Sequence, residues 1–302
     1  MDLKSKIILI SGPTASGKSN FAISLAKKAN GEIINADSMQ VYKQLKILSA
    51  RPDKSKYQKI KHHLYGFHDV KKNFSTGNWL QLVVKKINEI QKRKKTPILV
   101  GGTGLYFKAL TDGLVKIPNI PLRIRNQIRV MQSKIGQDKF YKKLLKLDPV
   151  CKNKINSTDT HRSMRAYEVK LYTHKSIYGW YKNTKSNFQE NDFYKIYIDF
   201  PRIELIERIN LRSKKMIKNG AINEVKKFIK LKVRNDRSVN KAIGINEIRQ
   251  YLNNEKELEE TIEDISIKTR QYAKRQSTWA RGNMNSWFKL KPNGLNNFLK
   301  KI

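Results

Sequence analysis

The octapeptide Gly12-Pro13-Thr14-Ala15-Ser16-Gly17-Lys18-Ser19 constrains this chain more than any other feature, because it has the spacing G-x-x-x-x-G-K-[ST]. It follows Lys6–Ser11 (KIILIS), a continuous apolar run that reads as a strand buried on both faces. It precedes Lys18–Ala29, where Phe21, Ala22, Leu25 and Ala26 share one face of a helix. In that context the glycines let the backbone curl until successive N–H groups point at one phosphate, and the helix N-terminus adds partial positive charge. Lys18 then reaches the outer phosphate, and the Ser19 hydroxyl can ligate Mg²⁺. The loop specifies a di- or triphosphate without specifying which.

The remaining pattern supplies the sheet that such a loop requires. Glu32–Asp37 reads as a second strand, Trp79–Lys94 as a helix with Leu80, Val83, Val84, Ile87 and Ile90 on one stripe, and Thr96–Val100 as a third buried strand. Gly101-Gly102-Thr103-Gly104 breaks that strand. Strands and helices alternating at this spacing predict a parallel α/β sheet. From about Leu114 to Asn191 the pattern changes to basic amphipathic helices at Arg123–Lys134, Asp138–Leu147 and Thr160–Tyr172, closed by the polar stretch YKNTKSNFQEND. Phe193–Phe200 resumes as a strand, and the remainder reads as helical. The expected organisation is a P-loop NTPase-like α/β core over residues 1–115 and 192–302, with an all-helical insertion over 116–191.

Composition narrows the partners. Among 302 residues, 63 Lys and Arg against 25 Asp and Glu give a formal charge of +38, which attracts polyanions, nucleic acid foremost. A lysine-biased genome would produce the same count. Cys151 is the single cysteine, so no disulfide or cysteine-based zinc finger can form within the chain. No apolar run approaches the roughly 20 residues of a bilayer span. The opening MDLKSKIILISG runs into the glycine loop as a strand rather than a signal peptide, so a cytoplasmic protein without membrane contact is expected.

Acid placement separates the possible chemistries. A nucleotide-hydrolysing motor carries an acid at the end of an apolar strand, whereas here ILV runs into GGTG. Asp37 stands at a strand end instead, at the edge of the sheet where α/β proteins bind ligands. There it could hold metal, accept a proton or cap the next helix. His62 and His63 are adjacent and cannot easily turn both rings to one ion, and His68 follows a turn, so a structural or RNA-facing role is expected over metal ligation.

GPTASGKS (Gly12–Ser19), NADSMQVYK (Asn35–Lys43), HHL (His62–Leu64), LVGGTGLYFKAL (Leu99–Leu110), DTHRSMRAYEV (Asp159–Val169) and TRQYAKRQSTWARG (Thr269–Gly282) occur in one order along the chain. With them the chain resembles the tRNA dimethylallyltransferase (tRNA isopentenyltransferase) family. The bacterial form is the closer likeness, since no second cysteine is present for the zinc finger of many eukaryotic members. It differs from the family pattern at Ala242–Glu247, where an aromatic usually follows the glycine, and in PNIPLRIR.

The resemblance implies a P-loop core whose inserted helical domain grips a tRNA anticodon arm. It implies transfer of a dimethylallyl group from dimethylallyl diphosphate to the exocyclic amine of the adenosine 3′ to the anticodon, with Mg²⁺ as cofactor and a monomeric enzyme. By the same resemblance, Gly12, Pro13, Thr14, Ala15, Ser16, Gly17, Lys18 and Ser19 hold the donor diphosphate rather than ATP, with Ser19 toward the metal. Asp37, Lys18, Thr103 and Arg212 carry the chemistry, and Asp37, Ser38, Met39, Gln40, Thr103, Arg125, His161, Arg162, Ser163, Met164 and Arg165 meet the tRNA.

Three other readings share parts of the pattern. A small-molecule or nucleotide kinase shares the loop and a lid, but leaves the basic insertion unexplained. A prenyltransferase for free adenine nucleotides would not need that insertion. A nucleotide-switched RNA-binding protein would leave RNA covalently unchanged.

Arg162 and Arg165, three apart at a helix start, should share a face. If they touch phosphates, their joint replacement by alanine is expected to weaken tRNA binding and flatten its salt dependence, by up to about one unit of slope for each phosphate no longer held. Filter binding across a salt series measures this, and an unchanged slope would make both arginines merely solvated.

Overall fold

The computed structural model describes residue 3, residues 5–182 and residues 184–302. Met1, Asp2 and Lys4 of the opening segment, and Asn183 of the polar stretch, lie outside the described residues. The chain runs β1 (Ile7–Ser11), α1 (Lys18–Lys28), β2 (Gly31–Asn35), β3 (His62–His63), α2 (Thr76–Lys92), β4 (Thr96–Gly101) and α3 (Gly104–Thr111). Four helices follow: α4 (Leu122–Ile135), α5 (Gln137–Leu147), α6 (Thr160–Thr173) and α7 (Ile177–Tyr181). The chain then returns through β5 (Phe193–Ile198), α8 (Arg202–Lys218), α9 (Ala221–Lys230), α10 (Ile245–Leu252), α11 (Leu258–Asn283), β6 (Phe288–Leu290) and α12 (Leu295–Lys300).

The strands form one parallel sheet in the order β3-β2-β4-β1-β5-β6. β1 is central because its five residues, IILIS, are buried on both faces. Ile7 and Leu9 pack with Trp79, Val83 and Ile87 of α2 and Phe107 of α3, whereas Ile8 and Ile10 pack with Phe21 and Leu25 of α1. The two-residue period of the strand thus divides helices between two layers. Every strand enters from the same side, so the turns after β1, β2, β4 and β5 collect at one carboxyl edge.

The chain divides into two compact units, Met1–Thr111 with Phe188–Ile302, and Asp112–Asn187. The second has its own core, built on Ile120, Leu144, Cys151, Ile155, Ala166, Val169 and Ile177. Gly136, at φ 76°, is the whole connection between α4 and α5. In the first unit a further cluster joins Val41, Leu45 and Leu48 to Met216, Val225, Phe228, Ile245 and Ile265. Glu224 fixes the 46–48 turn there, its carboxylate accepting the N–H groups of Lys46, Ile47 and Leu48 at 2.8–3.1 Å.

Two strands depart from the sequence reading. β6 lies in a stretch expected to be helical, and β3 was not expected; at three and two residues both are too short to show a period. Each exists because a neighbouring strand offers an open edge. The β2 strand also ends at Asn35, two residues before the expected Asp37.

Gly101 illustrates how tightly β4 approaches its neighbour: an added Cβ would lie 2.0 Å from the Ala36 carbonyl oxygen, which is backbone and cannot yield. Gly101→Ala is therefore expected to lower stability by about 2 kcal/mol or more, read from urea unfolding. Gly282→Ala, where a Cβ meets nothing within 4 Å, should leave the midpoint unchanged or slightly raised.

Candidate functional site

The loop after β1 turns through left-handed backbone at Ala15 (φ 66°) and Gly17 (φ 82°) before α1 begins. Lys18 Nζ donates to the Pro13 carbonyl at 3.0 Å and so lies folded over the loop. Ser16 is buried, and its hydroxyl has no hydrogen-bond partner among the described residues. Long-range contacts hold Thr14. Its N–H donates to Gln276 Oε1 at 2.8 Å, and its hydroxyl accepts from Arg212 Nη1 at 2.8 Å. The Gln276 amide continues to the Gly102 carbonyl at 2.9 Å.

Asp37 is fixed from behind. The Asn35 side chain is fully buried, accepts the Asp37 N–H at 2.9 Å and donates to the Asp37 carbonyl at 2.9 Å. The Asn35 carbonyl in turn accepts the indole N–H of Trp79 at 2.9 Å. Asp37 Oδ1 accepts the N–H groups of Met39 (2.9 Å) and Gln40 (3.3 Å). The helix cap considered for Asp37 is thus corrected to an Asx turn, since no helix starts at this point. Oδ1 is engaged in this way, and Oδ2 is the oxygen left for a ligand. Beside it the Thr103 hydroxyl accepts the Ser38 N–H at 3.0 Å, and the Tyr272 hydroxyl bonds to Thr103 and Gln276.

Two connected hollows meet at these residues. One, of about 210 Å³, is lined by Thr14, Gly17, Lys18, Ser19, Tyr65, Arg208 and Arg212. The other, of about 300 Å³, has apolar walls from Met39, Leu48, Met216, Ala242 and Ile243, with Tyr272 and Arg275. Thr14, Asp37, Ser49 and Arg212 line both. The pair suits a ligand with a polyanionic head and an apolar tail.

The electrostatics agree. Loss of hydration pushes the Lys18 ammonium down to about 8, with the Asp37 carboxylate opposing and Arg212 adding to the shift. Arg212 is likewise lowered by burial, against the pull of Asp37. Such depressed cations signal a site awaiting an anion. Burial, and then Asp37, holds the hydroxyl of Tyr106 above its usual range, and the same two causes act on Tyr272. Mg²⁺ would fit this hollow by donor chemistry, since the Ser19 hydroxyl supplies a hard oxygen there. No group of three His, Cys, Asp or Glu suited to a metal occurs among the described residues, so phosphate oxygens would supply the remaining ligands.

The expected loop residues, Asp37–Gln40, Thr103 and Arg212 are all brought together here, while Arg125 and His161–Arg165 belong to the second unit. Asp159 caps α6 there, accepting the Arg162 N–H at 2.9 Å and pairing with its guanidinium at 3.4 Å. Arg165 and Arg125 lie 3.4 and 4.0 Å from Glu168. Ser163 departs from the expected RNA contacts: it is fully buried and its hydroxyl accepts from Gln137, because it falls on the inner face of α6. His63 holds buried Glu32 at 2.7 Å with Arg93 at 2.8 Å, and His62 stacks on Tyr57 at 3.7 Å, so both half-buried histidines have structural partners. Sequence reasoning missed Asn35, Tyr65, Arg208, Tyr272 and Gln276. The four-residue spacing of Arg208 to Arg212, and of Tyr272 to Gln276, was the available signal.

Comparison with known proteins is consistent along the whole length. Residues 40–283 match the family model described as IPP transferase. The chain is 64% identical over 302 residues to a tRNA dimethylallyltransferase of Pelagibacter ubique (strain HTCC1062), covering all of this chain and 96% of that protein. It is 45% identical to one of Rickettsia massiliae (strain Mtu5), over 90% of this chain and 76% of that protein. Among solved structures, the full-length tRNA isopentenylpyrophosphate transferase of Bacillus halodurans superposes with TM-score 0.70 at 31% identity, covering 98% of this chain and 95% of that one. A eukaryotic dimethylallyltransferase acting on tRNA gives TM-score 0.81 at 29% identity, over 95% of this chain and 74% of that one.

The depressed Lys18 pKa carries a pH signature. Only the ammonium form attracts a diphosphate, and the bound anion raises its pKa again. Affinity for an alkyl diphosphate is therefore expected to be level between about pH 7 and about pH 8, then to fall by up to about tenfold per pH unit, with proton uptake on binding. The probe's own terminal ionisation lies lower, near pH 6. Calorimetry in buffers of different ionisation enthalpy measures both quantities, and Lys18→Ala should abolish the step.

Proposed function

The chain belongs to the IPP transferase family, and from that premise we propose that it transfers a dimethylallyl group from dimethylallyl diphosphate to the exocyclic amine of the tRNA adenosine 3′ to the anticodon, releasing diphosphate. The observation that carries the reading is the position of Asp37, at the junction of a cationic hollow and an apolar-walled one.

The diphosphate occupies the loop, against its N–H groups, Lys18 and Arg212, and the allyl tail extends toward Met39, Leu48 and Met216. The adenine amine is a weak nucleophile because its lone pair is delocalised into the ring. Accepted by Asp37 Oδ2, its N–H bond polarises as nitrogen bonds to the allylic carbon. The carbon–oxygen bond to the diphosphate breaks, its electron pair leaves with the diphosphate, and the amine proton passes to Asp37. Charge appearing on the leaving oxygen is met by Lys18, Arg212 and the loop amides, already placed before the bond breaks. Mg²⁺, held by Ser19 and the phosphate oxygens, would supply further neutralisation of the diphosphate. The apolar walls keep water from the allylic carbon. The target base must leave the anticodon stack to reach Asp37, and Ser38–Gln40 and Thr103 are suited to flank it.

The helical unit, residues 116–191 in the sequence reading, holds the anticodon arm through Arg125, His161, Arg162, Met164 and Arg165, while Ser163 supports them from inside. Among the described residues no helix is long and apolar enough to cross a membrane. A monomeric, cytoplasmic enzyme, placed where tRNA resides, completes the reading. A kinase would leave the basic helical insertion unexplained. The direct test is incubation with dimethylallyl diphosphate, Mg²⁺ and unmodified tRNA. Nucleoside mass analysis should show one added prenyl group on adenosine, and its absence would sink the assignment.

Asp37→Asn separates chemistry from scaffolding. Asparagine keeps an oxygen for the Met39 and Gln40 amides, so the turn and the melting temperature should hold. It cannot accept the proton, and single-turnover transfer with both substrates saturating is expected to slow by about 100-fold or more. A normal rate would remove Asp37 from the chemistry, and a fallen melting temperature would make the turn its main role.

A further inference from the structure

We propose that Arg208 is a second arginine for the donor diphosphate, acting at the rim of the phosphate hollow alongside Arg212; this rests on the loop being the diphosphate site. The two arginines stand four residues apart on α8 and so share a helix face. Arg212 reaches inward to the Thr14 hydroxyl, and Arg208 lines the same hollow. Its guanidinium nitrogens come within 3.6 and 4.0 Å of the point where a Cβ on Gly17 would sit. Gly17 begins α1 in left-handed backbone, where glycine is the least strained residue and leaves open space in front of the helix N-terminus.

Arg208 is held without being neutralised. Its guanidinium lies over the Phe200 ring at 4.8 Å from the centroid. No carboxylate pairs with it among the described residues, in a chain where Arg93, Arg125, Arg162, Arg165 and Arg270 each have an acidic neighbour. Stacking orients the planar group while leaving its N–H edge free, the arrangement suited to two-pronged binding of phosphate oxygens. Lys18, Arg208 and Arg212 face a single carboxylate, Asp37, around this hollow. That imbalance matches a diphosphate, whose charge exceeds what Lys18 and Arg212 alone would balance.

The test measures binding of inorganic diphosphate with Mg²⁺ by calorimetry, separately from turnover. Arg208→Gln is expected to weaken diphosphate binding and raise the donor KM by about 10-fold, as befits a charged hydrogen bond at a partly exposed site. The tRNA KM, its salt dependence and the melting temperature should not move. Phe200→Leu keeps the charge and removes the stack, and should show a smaller loss, about threefold. Equal diphosphate affinity in wild type and Arg208→Gln would overturn the proposal while leaving the loop assignment standing. No diphosphate binding by the wild type would overturn both. A flattened tRNA salt slope with unchanged diphosphate affinity would make Arg208 an RNA contact instead, and would overturn it too.

Discussion

One primary amide holds the two halves of the site in register. Gln276 accepts the Thr14 N–H and donates to the Gly102 carbonyl, joining the loops that leave the adjacent strands β1 and β4. Both bonds are partly shielded from water, so losing either would strand a backbone group. The glycines of the second loop are the other half of this arrangement. A Cβ on Gly102 would lie 2.1 Å from the Gln276 amide, and one on Gly104 would lie 2.2 Å from the Trp279 ring. α11 can therefore dock only where these side chains are missing. Tyr272, one turn before Gln276, holds Thr103, which holds Ser38 beside Asp37. The spacing between the phosphate loop and the carboxylate is thereby set by one turn of one helix.

Charge is distributed unevenly around that frame. Elsewhere the excess of cations is managed locally, as where buried Glu32 draws in His63, Arg93 and Lys95. Hydrogen bonds from His63 and Arg93 lower the Glu32 pKa in spite of its burial. In the hollow around Lys18 burial dominates, and loss of hydration lowers the ammonium's pKa against the pull of Asp37.

The helical unit solves a different problem. Its surface arginines are spaced by acids. Glu168, nearly buried, stands between Arg125 and Arg165 and can orient both while leaving part of each guanidinium exposed. Asp159 does the same for Arg162 at the helix start. Such pairs are worth little to stability, and their use here is directional.

Some of this was legible in the residues alone. The phosphate loop is contiguous, and its conformation follows from glycine freedom and the strand and helix beside it, so eight residues sufficed. β1, α1, α2, β4 and the longer helices of the insertion follow from periods of two and 3.6 that local backbone geometry imposes. Membership in the family was carried by motif order in the same way. The partners of Thr14 were not legible, because Arg212 lies 198 residues away and Gln276 lies 262 away. Nor was the Asx turn at Asp37, the inward face of Ser163, or the short strands β3 and β6. Local spacing determines which backbone conformations a segment can adopt, whereas these features depend on which distant side chain fills a gap or which strand edge is left open. Only packing of the whole chain decides that.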